Sequence, residues 1–208
     1  MRYCLIILFS IFFFAISLET KGQKSKREFR GVWIATVNNL DWPSDPLADN
    51  NKKEKELIGI LDQLEELNFN AVIFQIRPLA DALYISSTEP CSKFLTGTQG
   101  KCPEDEWDPL SFLINECHKR GMELHAWINP FRVLNNLKDN LSDKNIAFKH
   151  PEWTVTYDSK LYLDPGIPEV RTYLNQIVNE VVEKYNVDAI HFDDYFYPYP
   201  VNKISFPD

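Results

Sequence analysis

Apolar positions recur along this chain at two periods, and the two alternate. Residues 31–37, 70–77, 122–129 and 187–193 are short apolar runs of the kind that form strands buried on both faces of a parallel sheet. Between them the spacing turns helical. Leu57, Ile60, Leu61, Leu64 and Leu67 mark a helix over residues 51–67. Asp108-Pro109 supplies an N-cap and a first-turn proline for a second helix, with Leu110, Leu113, Ile114 and Cys117 inward and Gly121 as its stop. Val170, Leu174, Ile177, Val178, Val181, Val182 and Tyr185 line one side of a third, over residues 168–185.

The resulting order, β-α-β-α-β-α-β, is the grammar of a (β/α)8 barrel or a doubly wound sheet. Long loops after strands and short ones after helices favour the barrel. A full barrel needs about 250 residues. The fold class expected is therefore α/β, the N-terminal half of a (β/α)8 TIM barrel truncated after the fourth strand. Within the long loop 130–166, Trp153 to Tyr157, the turn Asp158-Ser159 and Lys160 to Leu163 read as a small hairpin.

Polar residues interrupt these strands late and on one parity. Gln75 and Arg77 share a parity in the second, His125, Trp127 and Asn129 in the third, and His191 and Asp193 in the fourth. In a barrel, the outward parity packs on helices, and the inward one converges on a pocket at the strands' C-terminal ends. Asp193 and Asp194 stand there, followed by Tyr195, Phe196 and Tyr197. Adjacent carboxylates at a strand end repel one another, and aromatic rings stack on pyranose faces, so the combination points to sugar chemistry. His191 lies close enough to influence which acid keeps a proton.

Quieter readings exist for each residue. Arg77 could be the ion-pair partner of Asp193 or Asp81, His125 a satisfied interior histidine, Asn129 a strand stop, Asp194 a turn cap, and Trp33 and Trp127 core residues. A zinc site from His125, His191 and Asp193 would be a further alternative, but neither His-x-His nor His-Glu-x-x-His spacing occurs.

Composition sets the wider bounds. The chain of 208 residues is 44% hydrophobic and 13% aromatic with a formal charge of −8, which describes a foldable domain and gives no footprint for nucleic acid. Met1-Arg2-Tyr3-Cys4 followed by the apolar stretch 5–18 reads as a secretory leader. Residues 1–23 are thus expected to be a signal peptide, or an uncleaved anchor that would be the only membrane contact, and residues 24–208 the exported, periplasmic or secreted, barrel domain. Export permits disulfides, and the turn-rich segment between Cys91 and Cys102 predicts a bridge. No cofactor or metal is expected, and open sheet edges predict self-association.

Six stretches in order then carry a resemblance: Arg30-Gly31-Val32-Trp33; Phe74-Gln75-Ile76-Arg77-Pro78 with Asp81; Leu95-Thr96-Gly97-Thr98-Gln99-Gly100; His125-Ala126-Trp127-Ile128-Asn129-Pro130 with Arg132; Leu163-Asp164-Pro165-Gly166; and His191-Phe192-Asp193-Asp194-Tyr195-Phe196-Tyr197-Pro198. The chain resembles the glycosyl-hydrolase-like 10 family. The resemblance implies an exported TIM-barrel glycosidase of the bacterial envelope, acting on a polysaccharide such as peptidoglycan glycan strands. It places Asp193 and Asp194 at the family's fourth-strand acidic motif. With the reading of the strand ends, catalysis is expected at Asp193, Asp194 and His191, and substrate contacts at Trp33, Gln75, Arg77, Asp81, His125, Trp127, Asn129, Arg132, Tyr195 and Tyr197.

Overall fold

The computed structural model describes residues 28–194 and 198–206. Four parallel strands form one sheet in the order β1 (Gly31–Ile34), β2 (Ala71–Arg77), β3 (Glu123–Ile128) and β7 (Ala189–His191). Each is joined to the next by a crossover containing a long helix: α1 (Asn50–Glu66), α2 (Pro109–Lys119) and α3 (Pro168–Lys184). This is the topology of four consecutive units of a (β/α)8 barrel, one of the two arrangements that the alternating periods allow.

The register explains how the faces divide. Val32, Ile34, Val72, Phe74, Leu124 and Ala126 lie toward the helices, where they pack with Leu57, Leu61 and Leu64 of α1 and Leu110, Leu113 and Cys117 of α2. Asp108 caps α2 as its sequence implies, accepting from the amides of Leu110 and Ser111. Gly121 ends the turn after α2 with φ 68°, a conformation that glycine adopts freely. Burial pushes the Cys117 thiol, sealed between helix and sheet, up to about 12.

Several boundaries differ from expectation, each for a local reason. The first strand ends at Ile34 rather than at residue 37, because the Thr36 amide and hydroxyl turn across to Gln75 and Asn38 and Asn39 then adopt positive φ. The fourth strand pairs only over Ala189–His191, with β3 as its sole partner among the described residues. The hairpin of the long loop is present as β5 (Thr154–Tyr157) and β6 (Lys160–Leu163), but a third strand, β4 (Arg132–Leu134), joins it to give the order β4-β6-β5. Three residues are too few for alternation to reveal a strand. This small sheet contributes Val133, Leu134 and Leu163 to a second core with Val170, Tyr173 and Ile177 of α3.

Cys91 and Cys102 form a disulfide with Cα atoms 5.2 Å apart, closing the loop that follows β2. No helix among the described residues is long and apolar enough to cross a membrane, and the leader lies outside them.

Candidate active site

The inner face of the parallel sheet is layered. Lowest are Phe29 and His125, stacked with ring centroids 5.5 Å apart. His125 Nε2 lies 3.0 Å from a Glu123 carboxylate oxygen. Next come Trp33, Trp127 and His191 on three strands, with centroids 5.8 Å apart for Trp33 and His191, 6.3 Å for the two indoles and 6.4 Å for Trp127 and His191. Trp33 leaves 61% of its surface exposed, so it is not buried in the core of the described residues. Burial lowers the His191 pKa from its ordinary value, Asp193 opposes the shift and His125 adds to it.

Highest, at the C-terminal strand ends, Gln75, Asn129 and Asp193 meet. The Thr36 and Val37 amides each donate to Gln75 Oε1 at 2.9 Å. Gln75 Nε2 donates to Asn129 Oδ1, and Asn129 Nδ2 donates to Asp193 Oδ2 at 2.9 Å. Gln75, Asn129 and Asp193 thus converge as their shared parity predicts. Trp127 Nε1, His191 Nε2 and Asp193 Oδ1 are buried yet have no hydrogen-bond partner among the described residues. Unpaired buried polar atoms are costly, and three of them lie on the face that holds Asp193. Asp194, next along, is exposed.

Arg77 departs from the expectation. A β-bulge intervenes, since Gln75 pairs with Trp127 but Arg77 with Ile128, so the alternation slips by one residue. Arg77 therefore shares Ile128's side of the sheet. Its guanidinium donates to Glu89 from Nε at 2.7 Å and from Nη2 at 2.6 Å, and from Nη1 to the carbonyls of Asn129 and Pro130 at 2.6 and 3.1 Å. Both side chains of the pair have no solvent exposure, and the Tyr173 hydroxyl of α3 donates to the same Glu89 at 2.9 Å. The partner is neither Asp81 nor Asp193, and the group is enclosed behind the rim instead of reaching into it. Glu89 had no sequence signal beyond being a lone acid in a loop. Thr36, which starts the amide chain, was likewise read only as strand.

Asp81 is also enclosed. Gln99 Nε2 donates to its Oδ2 at 3.0 Å, and its Oδ1 lacks a partner among the described residues. Burial lifts its pKa to about 6 against hydrogen bonds from Gln99 and Ser92. A carboxyl raised from 3.8 to about 6 binds its proton more tightly folded than unfolded, so its contribution is intact below pH 4 and is lost as pH rises to about 6. The loss is about 3 kcal/mol. Asp81→Asn is expected to be the more stable protein at pH 7 and equal to the parent at pH 4; urea midpoints at the two values check this.

Arg132 lies half-buried in β4 opposite Tyr162, in the second sheet. Tyr195 and Tyr197 fall outside the described residues. Among the described residues no group of three or more His, Cys, Asp or Glu side chains is placed to hold a metal ion, and His125, His191 and Asp193 do not form one.

The strand-end rim of this half-barrel thus gathers a carboxylate and two side-chain amides above a layer of aromatic rings. Residues 28–207 match the family described as Glycosyl hydrolase-like 10, and the chain belongs to that family. It is 44% identical over 209 aligned residues to "Glycosyl hydrolase YngK" of Bacillus subtilis (strain 168), spanning 100% of this chain and 40% of that protein. It is 41% identical over 192 residues to "Glycosyl hydrolase DigH" of Escherichia coli (strain K12), spanning 84% of this chain and 43% of that protein. The chain therefore covers less than half the length of these relatives. Among solved structures, it is similar to TtGalA, an alpha-galactosidase from Thermus thermophilus, with TM-score 0.50 and 17% identity over 83% of this chain and 32% of that one. It is also similar to the alpha-galactosidase from Lactobacillus brevis, with TM-score 0.50 and 16% identity over 81% of this chain and 20% of that one. At such identities the likeness shows the fold alone.

Proposed function

We propose that this chain supplies the first half of a glycoside hydrolase barrel that acts on a bacterial cell-envelope polysaccharide, peptidoglycan glycan strands being the substrate, after export through the leader. The observation that carries the reading is the placement of Asp193, with Oδ2 taken up by the Asn129 amide and Oδ1 buried and unmatched. The amide fixes the orientation of the carboxyl group at the strand ends, where a nucleophile or a group stabilising a developing oxocarbenium carbon has to stand. Its acid partner then comes from elsewhere in the barrel, roughly 5–5.5 Å away for retention and 6.5–9.5 Å for inversion. Trp33 offers an open ring for a pyranose face.

Purified glycan strands stripped of stem peptides provide the test. The complete gene product is expected to release new reducing ends in proportion to time and enzyme. Retention on insoluble cell wall without any such release would replace the enzyme with a silent glycan-binding module.

A further inference from the structure

Gln75 and Asn129 were expected to grip sugar hydroxyls, yet they are almost wholly buried and their amides face one another. An amide's oxygen and nitrogen ends have nearly the same shape, so only the partners fix which way each points. At the start of this chain of contacts the partners are the backbone N–H groups of Thr36 and Val37, which can donate and never accept. They require oxygen at that end of Gln75. The other end must then be nitrogen, the atom of Asn129 that meets it must be oxygen, and the atom of Asn129 that faces Asp193 must be a donor. The Thr36 hydroxyl adds a bond of 2.8 Å to the Gln75 carbonyl and locks β1 against β2.

We propose that Gln75 and Asn129 are positioning residues, forming a one-way amide relay that lets the backbone at the end of β1 set the orientation of Asp193 three strands away. The relay fixes one carboxylate oxygen, while the other is buried without a partner among the described residues. Without water in the chain, each bond polarises the next in the same sense. Its consequence for catalysis rests on the glycosidase reading; its geometry does not.

Two measurements on the complete gene product separate these. In side-chain amide NMR spectra, Asp193→Ala is expected to move the NH2 signals of both Asn129 and Gln75, the latter without direct contact to residue 193. A stationary Gln75 signal overturns the relay whatever the activity. In the reducing-end assay, run at a pH where the introduced carboxylate is ionised, Gln75→Glu still accepts from the two backbone amides but has no proton for Asn129, so kcat is expected to fall by up to about 100-fold with KM nearly unchanged. Should that variant fail to fold, Gln75→Met cuts the same link without burying a charge, and the same fall is expected. Unchanged kcat in the Gln75 variant, with Asp193→Asn inactive, overturns the positioning role alone. A wild-type protein that releases no reducing ends overturns the glycosidase reading, while the NMR signals still decide the relay.

Discussion

A Glu89→Ala variant is expected to lose about 3–5 kcal/mol of folding stability, the cost of removing one member of a buried ion pair. The surviving Arg77 cannot shed its charge and would keep only the carbonyls of Asn129 and Pro130, both of which accept from Nη1. Tyr173 would lose its acceptor as well, loosening α3 against the loop after β2. Since a domain of this kind has about 5–15 kcal/mol in all, the loss is a large share of the total. Urea unfolding should show a lower midpoint at unchanged slope. The double change Arg77→Met with Glu89→Leu should recover most of the stability, because the cost lies in the stranded charge and not in the absence of the pair. A single-variant loss under about 1 kcal/mol would mean that water reaches the guanidinium, contrary to its enclosure.

The second large effect concerns chemistry. Asp193→Asn preserves shape and leaves an oxygen for the Asn129 amide, yet removes the charge, so kcat on peptide-free glycan strands is expected to fall about 10²–10⁴-fold with little change in KM. Asp194→Asn is expected to cost less than about tenfold, because Asp194 is exposed beside the rim. Initial rates across substrate concentration separate the two. Equal and severe losses would mean that the pair acts as one unit, and the reverse ranking would move the reacting role to Asp194.

Much of this architecture was legible in the chain because it depends on periodicity. The helices carrying Leu57, Leu113 and Ile177 and the strands carrying Phe74 and Ala126 announce themselves by spacing that survives any small change of loop. The layered inner face was legible too, since parity places His125, Trp127 and Asn129 on one side. Parity failed at Arg77, where a single extra residue in the ladder turned it to the opposite side. A bulge leaves no composition behind, and its reason is tertiary: Glu89 and Tyr173 wait on that side. Asp81 went astray similarly, because a lone carboxylate in a motif does not disclose whether its loop closes over it. The amide relay was invisible for a different cause. Its side-chain members Gln75, Asn129 and Asp193 were all noticed, but the direction of each amide follows from the backbone donors of Thr36 and Val37, which sequence does not orient.

The central claim is that Asp193, held by the Asn129 amide at the strand-end rim, is the group that meets the sugar. A crystal structure of the Asp193→Asn gene product with a bound glycan oligomer tests it most directly. The account predicts an anomeric carbon about 3–3.5 Å from the residue 193 side chain, with the Asn129 amide still holding the opposite atom. An oligomer seated away from the rim, or a residue 193 side chain turned away from Asn129 toward the helices, would contradict it.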